Sequence, residues 1–155
     1  MKGIFTSAKD NTDGVTEIAG TAVKISELAG LALKIRSKDE SFAIVMNPSV
    51  YQGILSDATA GEDVKLYKES LIRDKSIEGV KIVLDVAAPS ATAAGSVLAV
   101  AVPFNRYAIG IAGELSIKPV DVLGDTKSYF QATMFFSGKQ VSDKDLLSLA
   151  VAAGG

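Results

Sequence analysis

The side chains available for chemistry in this 155-residue sequence are carboxylates, hydroxyls, amides and amines, because it contains neither histidine nor cysteine. Without cysteine there is no disulfide, no thiolate nucleophile and no cysteine-ligated zinc. Without histidine the usual general base near neutral pH is missing, and with it the Ser-His and Cys-His pairs and most transition-metal sites. Adjacent carboxylates occur at Asp39/Glu40 and Glu62/Asp63. Neighbouring residues project in different directions, so these pairs read as solvated turns. Asp10-Asn11-Thr12-Asp13-Gly14 opens like a calcium loop but lacks its closing glutamate. Asp143-Lys144-Asp145 suits a helix start, where acids meet the positive end of the dipole. Gly110-Ile111-Ala112-Gly113 lacks the third glycine of a dinucleotide loop and the Gly-Lys-Ser/Thr of a phosphate loop. Glycines within a strand instead indicate a bulge or a close backbone approach. No catalytic, cofactor-binding or metal site is expected. Carboxylates distant in sequence can still converge, which keeps a carboxylate-only hydrolase as the rival class.

The elements that would position any site are organised around residues 77 to 117. Val- and Ile-rich runs over Ile77–Val86, Ser96–Val102 and Tyr107–Ile117 favour extended, half-buried backbone. They are read as three strands of one sheet. Between the first two lies a loop of small side chains, Ala87, Ala88, Pro89, Ser90, Ala91, Thr92, Ala93, Ala94 and Gly95. Its methyls and hydroxyls are unreactive, so it is expected to serve contact rather than chemistry.

Upstream, residues 1–14 are mostly polar and end in a turn signal, and Val15–Lys24 reads as extended. Ser26 is expected to cap a helix whose apolar stripe runs through Ile25, Leu28, Ala29, Ala32 and Ile35, widened by Leu31 and Leu33, with Lys34 and Arg36 in its last turn. Phe42–Met46 is continuously apolar, as in an inner strand buried on both faces. Asn47 then serves as an N-cap with Pro48 at the first helical position, opening a short helix through Val50, Tyr51, Ile54 and Leu55. Residues 56–75 fit no single period. Downstream, Leu115–Leu123 and Ser128–Phe136 are expected to pair as a long hairpin, with Tyr129, Gln131, Thr133 and Phe135 alternating against Phe130, Ala132, Met134 and Phe136. Ser137-Gly138-Lys139 should turn the chain, and Ser142 or Asp143 should cap a last helix through Leu146, Leu147, Leu149, Ala150 and Val151.

The length suits one domain with a real core. Sixteen basic and eighteen acidic residues are interspersed, giving a formal net charge of -2. That distribution offers no clustered basic face for specific nucleic-acid binding. No apolar run approaches the roughly 20 residues that span a bilayer, and the first residues lack the apolar core of a signal peptide. A soluble protein of intracellular origin, with no membrane partner, is expected.

The order of these elements resembles the later half of the major capsid protein of tailed bacteriophages. The resemblance rests on a helix, then a strand closing on Val45-Met46-Asn47-Pro48, a helix with Tyr51, and Gly79 before a Val-rich strand. A small-residue loop follows, then the step Phe104-Asn105-Arg106-Tyr107, a long hairpin, and Ser137-Gly138-Lys139. It covers most of the chain from Gly3 to Val151. What it implies is an α+β fold: a mixed or antiparallel central sheet flanked by helices, with an extended β hairpin, like the axial domain of the tailed-phage capsid fold. By that likeness residues 1–155 form one axial-domain-like unit, with residues 115–136 as a peripheral hairpin. The loop Ala87–Gly95 would face the axis of a capsomer. The implied function is that of a non-enzymatic subunit of an icosahedral phage or prophage shell, or a fragment of one, since the family's N-terminal arm, extended β loop and spine helix have no counterpart here. Its partners would be further copies of itself, together with scaffold or decoration proteins. It would be made in a bacterial host cytoplasm and reside in the virion. An encapsulin-like nanocompartment shell is the alternative within the same architecture.

Overall fold

The computed structural model describes residues 3–18, 20–36, 41–57, 63–90, 93–104, 107–120, 129–140 and 146–152. Phe42–Met46 forms β2, whose last four residues are all buried, as its unbroken apolar run demands. A strand with no solvent face needs a neighbour on each edge. Accordingly β2 lies between β4 (Val80–Leu84), which is parallel to it, and β5 (Val97–Pro103), which is antiparallel. The parallel pairing requires a long crossover, supplied by α3 (Pro48–Asp57) and α4 (Asp63–Asp74). The short β3 (Ser76–Ile77) pairs with β4 through a tight turn in which Glu78 and Gly79 both have positive φ, 49° and 78°. Two consecutive left-handed residues are what a two-residue hairpin needs, and glycine supplies one without strain. On the other side β5 pairs with β8 (Leu147–Val151), which runs parallel to β1 (Val15–Ile18). The result is one mixed six-stranded sheet in the order β1-β8-β5-β2-β4-β3.

Of the three strands read as one sheet, β4 and β5 do share a sheet, with β2 between them, but the third run leaves it altogether. The last segment is a strand, not a helix: Leu147-Ser148-Leu149-Ala150-Val151 fills the slot between β1 and β5 and bonds to both. Helix propensity over five residues is a weak prior, and two ladders override it. The proposed caps Ser142 and Asp143 lie outside the described residues.

One face of the sheet is covered by α2 (Ile25–Arg36), α3 and α4. Leu28, Leu31, Ala32 and Ile35 of α2 join Ile44, Met46, Ile82 and Ala99 in the main core. Leu33 is half exposed and does not widen the stripe. Because α2 begins at Ile25, Ser26 sits inside its first turn; the Lys24 N–H instead donates to Glu27 Oε2 (2.9 Å), the reciprocal half of a capping box. The span from 56 to 75, which fits no single period, contains α4. The opposite face carries a second core of Ala8, Val45, Val97, Val100, Val102 and Leu146. It is covered in part by α1 (Ile4–Asp10), a helix in a segment read as mostly polar. After α1, Gly14 lies so close to the backbone of Leu146 that a Cβ there would stand 2.1 Å from its carbonyl oxygen. Asn11 Nδ2 donates to that same oxygen at 2.9 Å.

The third Val- and Ile-rich run becomes β6 (Tyr107–Val120), paired antiparallel with β7 (Tyr129–Gln140) as a separate two-stranded ribbon. Its pairing extends beyond the expected 115–136 segment, from Tyr107↔Gln140 to Val120↔Tyr129. Ser137-Gly138-Lys139 therefore lies inside β7 and does not turn the chain. The register shifts between Ala112 and Ser116, where Gly113 has φ 84°, so Gly113 marks a bulge, whereas Gly110 stays in register opposite Ser137.

Candidate functional site

The loop after β4 is built by the strand ends around it. The Asp85 N–H continues the ladder to the Met46 carbonyl (3.0 Å), and Asp85 Oδ1 accepts the Ala87 N–H (2.9 Å). Ala88 N–H closes a turn onto the Asp85 carbonyl (3.1 Å), and the Ala88 methyl is buried. Asn47 then ties three elements together. Its Oδ1 accepts from the N–H and hydroxyl of Ser49, capping α3 (2.9 and 2.8 Å). Its Nδ2 donates to the carbonyls of Ala88 (2.7 Å) and Val86 (3.2 Å). All four bonding positions of a buried amide are thereby filled, the condition under which burying it is favourable. The sequence signalled the cap; nothing local signalled that the same amide would hold a loop 39 to 41 residues away.

At the loop's far end the Gly95 N–H donates to the Val151 carbonyl and the Val151 N–H to the Ser96 carbonyl, both at 3.0 Å. Gly95 has φ 74°, a conformation its lack of a Cβ makes available. Of the nine loop residues named from the sequence, Ala88 is buried, Pro89 and Gly95 are partly covered, and Ala87, Ser90, Ala93 and Ala94 are exposed. Ala91 and Thr92 lie outside the described residues. From Val86 to Ser96 there is no charge, while Asp85 and Val86, just before the predicted loop, are both exposed, Val86 to 83%.

Clefts flank the loop on either side. One, of about 240 Å³, is lined by Thr21, Val23, Val50, Ile54, Ser90 and Leu98. The other, of about 420 Å³, lies between the loop and α1 and is lined by Phe5, Lys9, Pro89, Ala94, Ser96 and Val97. Neither gathers carboxylates. Among the described residues no cluster of three or more His, Cys, Asp or Glu could hold a metal, and no helix is long and apolar enough to cross a membrane. Asp39, Glu40, Glu62, Asp143 and Asp145 fall outside the described residues. Burial pushes the pKa of the Tyr51 phenol upward; its hydroxyl donates to the Leu71 carbonyl, joining α3 to α4. That is a structural bond.

The chain matches no family model, and no curated protein matches it significantly. Solved structures do resemble it. The holo encapsulin complex of Synechococcus elongatus PCC 7942, determined by cryo-electron microscopy, superposes with a TM-score of 0.58 at 10% identity, over 93% of this chain and 55% of that one. A structure of Mycobacterium phage Che8 gives a TM-score of 0.55 at 17% identity, over 92% and 55%. The chain thus spans about half the length of either. At such identities the likeness is one of fold, and the fold is the mixed α+β architecture, a central sheet flanked by helices, expected from the order of elements.

Proposed function

We propose that this chain is a structural subunit of a closed shell and works by symmetric self-association. The observation that carries this reading is the superposition of nearly the whole chain on an encapsulin and on a phage structure. Shell assembly sums many weak contacts repeated by symmetry and asks for no nucleophile, base or metal. A sequence with no histidine or cysteine suits that work. Within this reading the chain forms one axial unit with the β6–β7 ribbon as its peripheral part, and the loop Ala87–Gly95 faces a rotation axis. The absence of charge from that loop supports the placement, because five or six like charges brought together around an axis would repel.

A phage or prophage capsid is the first form of the proposal, with an encapsulin-like compartment as the second. The test is electron microscopy and light scattering of the protein expressed from its full reading frame. Closed particles are expected, and their contents separate the two forms, nucleic acid for a capsid and packaged protein for a compartment. A dispersed monomer that cleaves glycosides would overturn both. Ala93→Glu, in the exposed part of the loop, should leave the subunit melting temperature unchanged while lowering particle yield at low salt, with recovery as salt screens the repulsion. Full yield at low salt would move the loop off the axis.

A further inference from the structure

We propose that the Asp85–Val86 turn of one copy seats in the cleft beside Lys9 of the next copy, a head-to-tail contact that repeats around a ring. This deepens the shell reading and rests on it. The turn is a ready-made projection. Asp85 Oδ1 fixes the Ala87 N–H, and Asn47 Nδ2 holds the Val86 and Ala88 carbonyls. With its backbone braced in this way the turn loses little freedom on binding, so the entropic penalty of association is small. On this rigid turn the side chain of Val86 is 83% exposed, which leaves its apolar surface available to a neighbouring copy. Asp85 adds a negative charge beside it.

The receiving surface has the complementary chemistry. The cleft of about 420 Å³ is walled by Phe5, Pro89, Ala94 and Val97, with the exposed Lys9 on its rim. It runs into a second cleft of about 430 Å³ that shares Lys9, Gly95 and Val97 and has Glu17 among its lining residues. A carboxylate is attracted to Lys9, where the two clefts meet, and repelled by Glu17 in the second, so the first cleft is the one that suits an acidic turn. Val86 lines neither of these clefts, so a subunit does not fill its own groove with it. Projection and groove are different surfaces on one chain. A contact between them is heterologous, and it closes into a ring when the rotation allows. Electrostatic complementarity at such a rim sets orientation and encounter rate, while the apolar contact supplies the burial.

The sequence contains no cysteine, so site-directed crosslinking has no background from native thiols. Lys9→Cys and Val86→Cys are made as separate proteins, mixed and oxidised. Only a contact between copies can then join a thiol at position 9 to one at position 86, and the mixture should give more crosslinked dimer than either protein alone. In parallel, Lys9→Glu and Asp85→Lys should each lower association about tenfold at low salt, and the double exchange should restore most of it, one factor of ten corresponding to 1.4 kcal/mol. Because Asp85→Lys also removes the bond to Ala87, Asp85→Asn serves as the variant that keeps an acceptor and loses the charge; it should weaken association with an unchanged melting temperature. No mixed crosslink, or a double exchange no better than the single ones, overturns the contact. If the unmodified protein forms neither rings nor particles, the shell reading itself falls, an outcome distinct from a shell that assembles but ignores these exchanges.

Discussion

β5 and β6 are both rich in small and branched apolar residues, yet they meet opposite fates. Every residue of β5 is buried, between β8 and β2 and beneath helices on one face and α1 on the other. β6 has one partner, and Ile109, Ile111 and Ile117 are each more than 60% exposed. The ribbon is nevertheless patterned. Phe130, Met134 and Phe136 lie on the face of Pro119, Ile117 and Ile111, whereas Gln131 and Thr133 share the other face with Lys118 and Ser116. The difference teaches that alternation specifies a face but not its cover. A two-stranded ribbon is marginal alone in water. The stability of this chain therefore resides in the six-stranded sheet, and the ribbon is an appendage whose apolar face suits contact with another surface.

The largest effect expected from this contrast is at the centre of the sheet's helical cover. Leu28, fully buried in α2, should lose about 2–5 kcal/mol on substitution by alanine. Lys34, exposed and bonded to Thr16 Oγ1, should change stability by no more than about 0.5 kcal/mol on the same substitution. Equal midpoints in urea titrations would show that the buried face of α2 is misassigned. Asn47→Ala comes next. It removes a helix cap and leaves the Ala88 carbonyl without its donor, for a combined loss of about 2–4 kcal/mol. Amide exchange at Ala88 and Ser49 should accelerate together, and acceleration at one alone would separate the cap from the loop brace.

Tyr51→Phe is a smaller perturbation with a signature in pH. The lost bond to the Leu71 carbonyl should destabilise the fold by about 1 kcal/mol at neutral pH. Burial raises the phenol's pKa above its ordinary value near 10, so the folded state holds its proton more tightly than the unfolded state. That contribution is complete below the unfolded value and is lost as pH climbs through the folded one. The deficit of the phenylalanine variant should therefore shrink in strongly alkaline solution, and a deficit independent of pH would contradict the assignment. The smallest effect on folding is expected in the ribbon. Phe136→Ser, at a position 63% exposed, should alter the unfolding midpoint by less than about 0.5 kcal/mol. It should also reduce concentration-dependent self-association measured by light scattering. A large loss of stability would mean that the ribbon belongs to the core after all.

What the sequence determined by itself was local. The run Phe42–Met46 reads as an inner strand, Asn47-Pro48 as a helix start, and the stripe of α2, Leu33 apart, follows from its spacing, because each rests on residues within a turn or two of one another. The order of these elements carried the fold class. The tertiary structure decided which strands are neighbours. β2 entered between β4 and β5 because its two apolar faces and two free edges outweighed the nearness of β4 and β5 along the chain. Leu147–Val151 became a strand because an open slot between β1 and β5 offered two ladders to a segment too short to sustain a helix. The loop site was divided in the same way. Its small, uncharged composition was legible, but the Asn47 amide that braces it, the projection of Asp85 and Val86, and the cleft that α1 forms with Lys9 come from residues tens of positions apart, brought together only by the closing of the sheet.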